Sequence, residues 1–142
     1  MTENTQTFPF ELVSPEEKLL SQPAVMAVVP GEEGDIGVLP DHSPVLSSVR
    51  PGVVAVYTDG KEEPRRIFVG GGFADISAAG CTILAEEAVP VEDLDEGALR
   101  HRLHDLTEDL TLVEGAADTA RIERAVMLTK AKLEALSGEV VL

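Results

Sequence analysis

The chain reads as an α+β protein, an N-terminal β-sandwich or barrel followed by an antiparallel two-helix hairpin. Three observations predict this. Short apolar runs punctuated by Gly and Pro fill the segment from Phe8 to about Glu87. Near Ala88 the spacing of apolar residues changes from alternation to steps of three and four, the period of a helix. Beyond that point Gly115 and Gly138 break the helical pattern at its middle and its end. The domain division expected from this change is 1–88 for the β domain and 89–142 for the hairpin.

Taken in order, Phe8, Phe10 and Leu12 alternate with polar or small neighbours, as in a half-buried strand. Ser14-Pro15-Glu16-Glu17-Lys18 has the form of a capping turn. The apolar run from Pro23 to Pro30 reads as one strand bounded by prolines. Val53 to Tyr57 leads into Thr58-Asp59-Gly60-Lys61, where Asp-Gly favours a tight hairpin, and Arg66 to Val69 returns beside it. Gly72 to Ile76 and Cys81 to Leu84 form a further hairpin. Gly70-Gly71-Gly72 lacks the spacing and the following helix of a phosphate loop, and reads as a turn or bulge where backbones approach closely. Six or more such short strands predict a sandwich or barrel.

In the second part, Leu99, Leu103, Leu106, Leu110 and Val113 share one helical face. Glu114 to Ala117 interrupts it. Asp118 is the expected N-cap of a second helix whose stripe is Ile122, Ala125, Val126, Leu133 and Leu136, with Gly138 as the stop. Two short helices are marginal alone, so the hairpin is expected to be conditionally docked or mobile and the β domain stable by itself.

Composition excludes several functions. At 142 residues the chain buries about two thirds of its unfolded surface, enough for a real core. The 26 acidic residues against 11 basic ones repel nucleic acid and anionic lipid. The longest apolar run, Ala24 to Val29, is far short of the roughly 18 residues of a membrane span, so no direct membrane insertion is expected. The start M-T-E-N-T-Q-T carries no basic or hydrophobic signal region, which predicts an unexported protein. The lone Cys81, in C-T-I-L-A, reads as a small buried hydrophobe.

Candidate chemistry is sparse. Asp41 and His42 suggest an acid/base pair or metal ligands, but no second histidine lies near them, and a loop histidine making contacts is the simpler reading. His101, His104, Asp105 and Glu108 stand at helical spacing, which fits a solvated helix surface better than a metal face. Ser14, Ser47 and Ser48 have no histidine-paired nucleophile arrangement. No catalytic residue, metal site or cofactor is expected.

The most informative segment is Gly31 to Leu46, G-E-E-G-D-I-G-V-L-P-D-H-S-P-V-L. Gly31, Gly34 and Gly37 allow backbone angles other residues avoid, while Pro40 and Pro44 lock theirs, which predicts a rigid exposed turn system. With Phe10 to Val13 before Ser14-Pro15-Glu16, then Pro51-Gly52-Val53 and Gly71-Gly72-Phe73 in order behind it, the chain resembles the epsilon subunit of the rotary, proton-translocating F-type ATP synthase over nearly its whole length.

That resemblance implies a flattened β-sandwich of about ten strands and a two-helix C-terminal domain. It implies a non-catalytic rotor subunit that clasps the gamma subunit, rests on the c-ring and couples proton-driven rotation to ATP synthesis on the alpha and beta subunits. Asp35, Ile36 and Gly37 fall where the family's c-ring-facing loop lies, with His42 and Pro44 in the adjoining turn toward the stalk. The implied location is the cytoplasmic face of the bacterial inner membrane, peripheral. Many relatives bind ATP through a motif of the form I/L-D-x-x-R-A, but here Leu94-Asp95-Glu96-Gly97 is followed by Ala98, not arginine. Arg100 comes two places late, about 200° round a helix, so no nucleotide site is assigned. Inhibition by an extended, basic hairpin has little support, because residues 90–142 hold 12 acidic and 6 basic side chains. The alternative reading is a small β-barrel protein binding a ligand or metal through Asp41 and His42.

Overall fold

A computed structural model describes residues 6–59 and 63–138. Two compact units divide the chain between Pro90 and Val91. The first holds ten strands: β1 (Phe8–Val13), β2 (Lys18–Ala24), β3 (Met26–Gly31), β4 (Gly34–Val38), β5 (Val45–Val49), β6 (Gly52–Tyr57), β7 (Arg65–Val69), β8 (Gly72–Ser77), β9 (Gly80–Ala85) and β10 (Ala88–Pro90). The strand order is β10-β7-β6-β3-β5-β8-β9-β1-β2, with β4 joined to β3 off this path. Pairing is antiparallel except between β1 and β9. This is the β-sandwich that the strand spacing predicts.

Alternation drives the assembly. Phe8, Phe10 and Leu12 of β1, Ala74 and Ile76 of β8, and Cys81, Ile83 and Ala85 of β9 all turn into one core with Val29, Val54, Val56 and Ile67. Each large side chain taken out of water there contributes about 1.5–3 kcal/mol. The hairpins β6–β7 and β8–β9 form from the apolar runs as expected, with Gly52 opposite Val69 and Ser77 opposite Gly80. The tip of the first of them, Gly60 and Lys61, lies outside the described residues.

The apolar run from Pro23 to Pro30 departs from its reading as one strand. It is the end of β2 and the body of β3, divided at Val25. Up to Ala24 the chain pairs with β1, whereas Met26 pairs with Tyr57 of β6 and the Val25 N–H donates to the Tyr57 carbonyl at 2.8 Å. The chain changes partners there, so one apolar run serves two pairings. Pro23 is tolerated because β2 is an end strand, where a missing N–H breaks no ladder. The Ser14 turn closes the β1–β2 hairpin rather than opening a helix, with the Ser14 N–H donating to the Glu17 carbonyl at 2.9 Å and the Glu17 N–H to Ser14 Oγ at 3.4 Å.

After the short 3-10 turn Val91–Asp93, the second unit consists of α1 (Glu96–Leu112) packed on α2 (Ala116–Ser137). The stripe is the expected one: Leu106, Ile122 and Leu133 are buried, and Leu99, Leu103, Leu110, Ala125, Val126 and Leu136 are half-buried. Thr129 joins them, its hydroxyl donating to the Ala125 carbonyl at 2.7 Å, which satisfies a polar atom on the apolar stripe. Val113 is the C-cap of α1, one place past the helix. The second helix starts earlier than expected. Gly115 (φ 94°) is its N-cap, and Asp118 sits inside the first turn, because the helix-forming pair Ala116-Ala117 carries the winding back to the glycine. Gly138 (φ 75°) ends α2 in the left-handed region.

Candidate functional site

The residues expected to face a partner lie on β4 and on the turn that follows it. Gly31 and Gly34 close the β3–β4 hairpin, each for its own reason: a Cβ on Gly31 would stand 2.7 Å from the Gly34 carbonyl oxygen, and Gly34 has φ 141°. Gly37 needs no such freedom. It lies in regular strand opposite Val28, and a Cβ there would meet nothing within 4 Å. The segment is therefore a strand hairpin plus a turn, more regular than the turn system that its glycines and prolines suggest.

Side chains alternate along β4. Asp35 and Gly37 are exposed, Ile36 is half-buried against the core, and Val38 is buried. The Asp35 carboxylate pairs with the Arg50 guanidinium at 2.6 Å. Beyond β4, Asp41 takes φ 64°, and Pro44 is exposed. His42 is half-buried, and its Nδ1 meets the Ser43 carbonyl at 2.6 Å, which makes that nitrogen the protonated donor. Asp41 and His42 thus belong to a turn closed on itself. Among the described residues no three His, Cys, Asp or Glu side chains converge as a metal site, and the ligand- or metal-binding alternative gains nothing.

An open groove of about 700 Å³ runs between the β3–β4 tip and β5, lined by Glu32 to Ile36 on one side and Val45 to Ser48 on the other. Leu46, which lines it, also belongs to an apolar patch. Leu46, Phe73 and Leu84 are 76%, 55% and 56% exposed on adjacent strands β5, β8 and β9. Phe73 stands directly opposite Leu84, and Leu46 is two residues from Ser48, the partner of Phe73. Three large side chains on the outer face of one sheet make a contiguous surface of the kind that marks an interface. Sequence reasoning passed over them, although parity was the available signal: Ala74 and Ile76 claim the inner face of β8, so an apolar Phe73 points outward.

In the helical unit, Asp95 is the N-cap of α1 and accepts from the Ala98 N–H at 3.2 Å. Arg100 pairs with Glu96 one turn back at 2.9 Å. The helix winds regularly through Gly97, and the aspartate of the degenerate motif, next to Leu94, caps the helix. His101 pairs with Asp105 and His104 with Glu108, each at 3.5 Å on an exposed face. Burial and the nearby Asp75 carboxylate push the Cys81 thiol from its ordinary 9.0 up to about 12, which makes it inert at neutral pH.

These features define a class: a β-sandwich with an acidic hairpin tip and an outward apolar patch, carrying a two-helix unit. The model for the β-sandwich domain of the ATP synthase Delta/Epsilon chain matches residues 7–91. The ATP synthase epsilon chain of Rhodospirillum rubrum is 46% identical over 133 residues, covering 94% of this chain and 98% of the relative. That of Maricaulis maris (strain MCS10) is 50% identical over 129 residues, covering 91% and 92%. The chain belongs to the ATP synthase epsilon-chain family, and it is a non-catalytic subunit of that complex. A chain of the Euglena gracilis mitochondrial ATP synthase, in its OSCP/F1/c-ring structure, shares the fold with a TM-score of 0.81 at 24% identity, over 96% of this chain and 86% of that one. A chain of the Tetrahymena thermophila central stalk and c-ring gives a TM-score of 0.61 at 12% identity, over 94% and 99%.

Proposed function

We propose that the β domain fastens this subunit into the rotor: the Leu46, Phe73 and Leu84 face meets the gamma subunit, and the β4 tip with its adjoining turn rests on the c-ring. Rotation driven at the c-ring then passes through the stalk to the catalytic alpha and beta subunits, and this chain makes or breaks no phosphate bond itself. The observation that carries the reading is the apolar patch, contiguous through Leu46 with the groove under the β4 tip. Asp35, Ile36, Gly37, His42 and Pro44 are assigned to this interface, residues 1–88 to attachment, and residues 89–142 to assembly or modulation.

Among the described residues no helix is long and apolar enough to cross a membrane, so association with it is peripheral and runs through protein contacts. We place the chain on the cytoplasmic face of the bacterial inner membrane. The test is Leu84→Asp. Leu84 is more than half exposed, so the substitution leaves the core intact, and burying an unpaired carboxylate at the stalk contact costs about 2 kcal/mol or more of binding. Unchanged retention of this variant by the purified synthase would remove the patch from the interface.

A further inference from the structure

The two rails of the β3–β4 hairpin are held unequally. The β3 rail is tied to the β5–β6 corner through the main chain: the Glu32 N–H donates to the Ser48 carbonyl and the Arg50 N–H to the Pro30 carbonyl, both at 2.9 Å. The β4 rail pairs with β3 alone. Among the described residues, its one polar tie to anything else is the Arg50 side chain. One guanidinium nitrogen of Arg50 donates to the Gly31 carbonyl, and another donates to Asp35 Oδ1 at 2.6 Å. A single side chain thus grips the last residue of β3 and the second residue of β4 across the turn.

We propose that Arg50 is the positioning residue of this hairpin: it engages the Asp35 carboxylate within the chain and aims the tip, leaving Glu32 and Glu33 as the charges offered to a partner. The proposal rests on the reading of the β4 tip as a docking surface. Glu32 and Glu33 are exposed and have no ion pair among the described residues. The planar fork of arginine meets a carbonyl and a carboxylate in two fixed directions, whereas a lysine ammonium keeps the charge without the fork. Among the described residues, the Arg50 side chain reaches the tip through its hydrogen bonds to Asp35 and Gly31, so its effect is on geometry. Alone, an exposed pair of this kind shifts an equilibrium by up to about fivefold.

Two readouts test this on the full chain. The first is amide hydrogen exchange at Glu33 to Ile36 in the isolated protein. Arg50→Ala raises exchange there by up to about fivefold, Arg50→Lys restores part of the protection, and core amides such as Ile83 keep theirs. The second is binding to synthase depleted of this subunit. Arg50→Ala and Asp35→Ala each weaken binding by a similar factor, and the double variant is no weaker than either. Unchanged exchange at the tip in Arg50→Ala, or additive losses in the double variant, overturns the proposal, the latter because Asp35 would then act on docking independently of Arg50. Gly37→Arg separates the two readings. It adds bulk to β4 where a Cβ has open space, and it abolishes binding if the tip docks. Intact binding of Gly37→Arg overturns the docking reading, while exchange at the tip judges the Arg50 clamp independently.

Discussion

A Cβ on Gly72 would lie 2.0 Å from the Leu84 carbonyl oxygen, at a backbone angle of φ 141°. Neither the strand nor the angle can give way without separating β8 from β9, so Gly72→Ala is expected to cost at least about 2 kcal/mol of stability by chemical denaturation. The triple glycine announces this in the sequence, since a bulge or close approach is what such a run between strands requires. Cys81 gives a pH signature. Its thiol is held protonated in the fold up to about 12 against an ordinary 9.0, so the folded state binds that proton more tightly than the unfolded chain. The corresponding stability is fully present below 9 and is lost as pH rises from there through about 12. Alkaline titration of unfolding should therefore fall less steeply in Cys81→Ala than in the parent. The pairing of Asp35 with Arg50 was not legible, because it depends on the register that sets Gly31 opposite Val49, which residue types alone do not fix.

Strands were legible where alternation was clean, as in β1, β8 and β9, and less so where composition was uniform. The run from Pro23 to Pro30 is apolar throughout, so nothing in it marks the change of partner at Val25, which is decided by the positions of Tyr57 and Phe8. Helix faces were legible for the same reason as the good strands: a period of 3.6 leaves a stripe whichever residue begins the helix. The start of α2 was missed because Asp118 and Gly115 are both acceptable caps, and the alanines between them decided it. At α1 the cap is unambiguous. Asp95→Ala removes an acceptor from the Ala98 N–H and is expected to cost the helix about 1 kcal/mol, visible as faster amide exchange in its first turn. Exchange should also be faster throughout α1 and α2 than in β8 and β9 of the isolated protein, because among the described residues the two-helix hairpin buries only Leu106, Ile122, Thr129 and Leu133. Equal protection of both units would contradict a conditionally docked hairpin.

At the scale of the whole chain, a net charge of −15 keeps the protein off anionic surfaces and leaves protein contact as its route to a membrane complex. Residues 90–142 hold 12 acidic against 6 basic side chains, so removing them should leave ATP hydrolysis by the reconstituted complex near the rate of the intact one. A large activation would show that the helices restrain the motor. The proposed attachment face, in contrast, was half legible. The glycines and prolines of residues 31–46 announce a turn but not the β3–β4 strand pairing, while Leu46, Phe73 and Leu84 become one surface only when β5, β8 and β9 are laid side by side. The most direct test of the rotor reading is recovery of the tagged chain from gently solubilised membranes, washed at moderate salt, with its companions identified by mass spectrometry. The account predicts gamma, c, alpha and beta subunits together; recovery of none of them, with the synthase demonstrably intact, would contradict it.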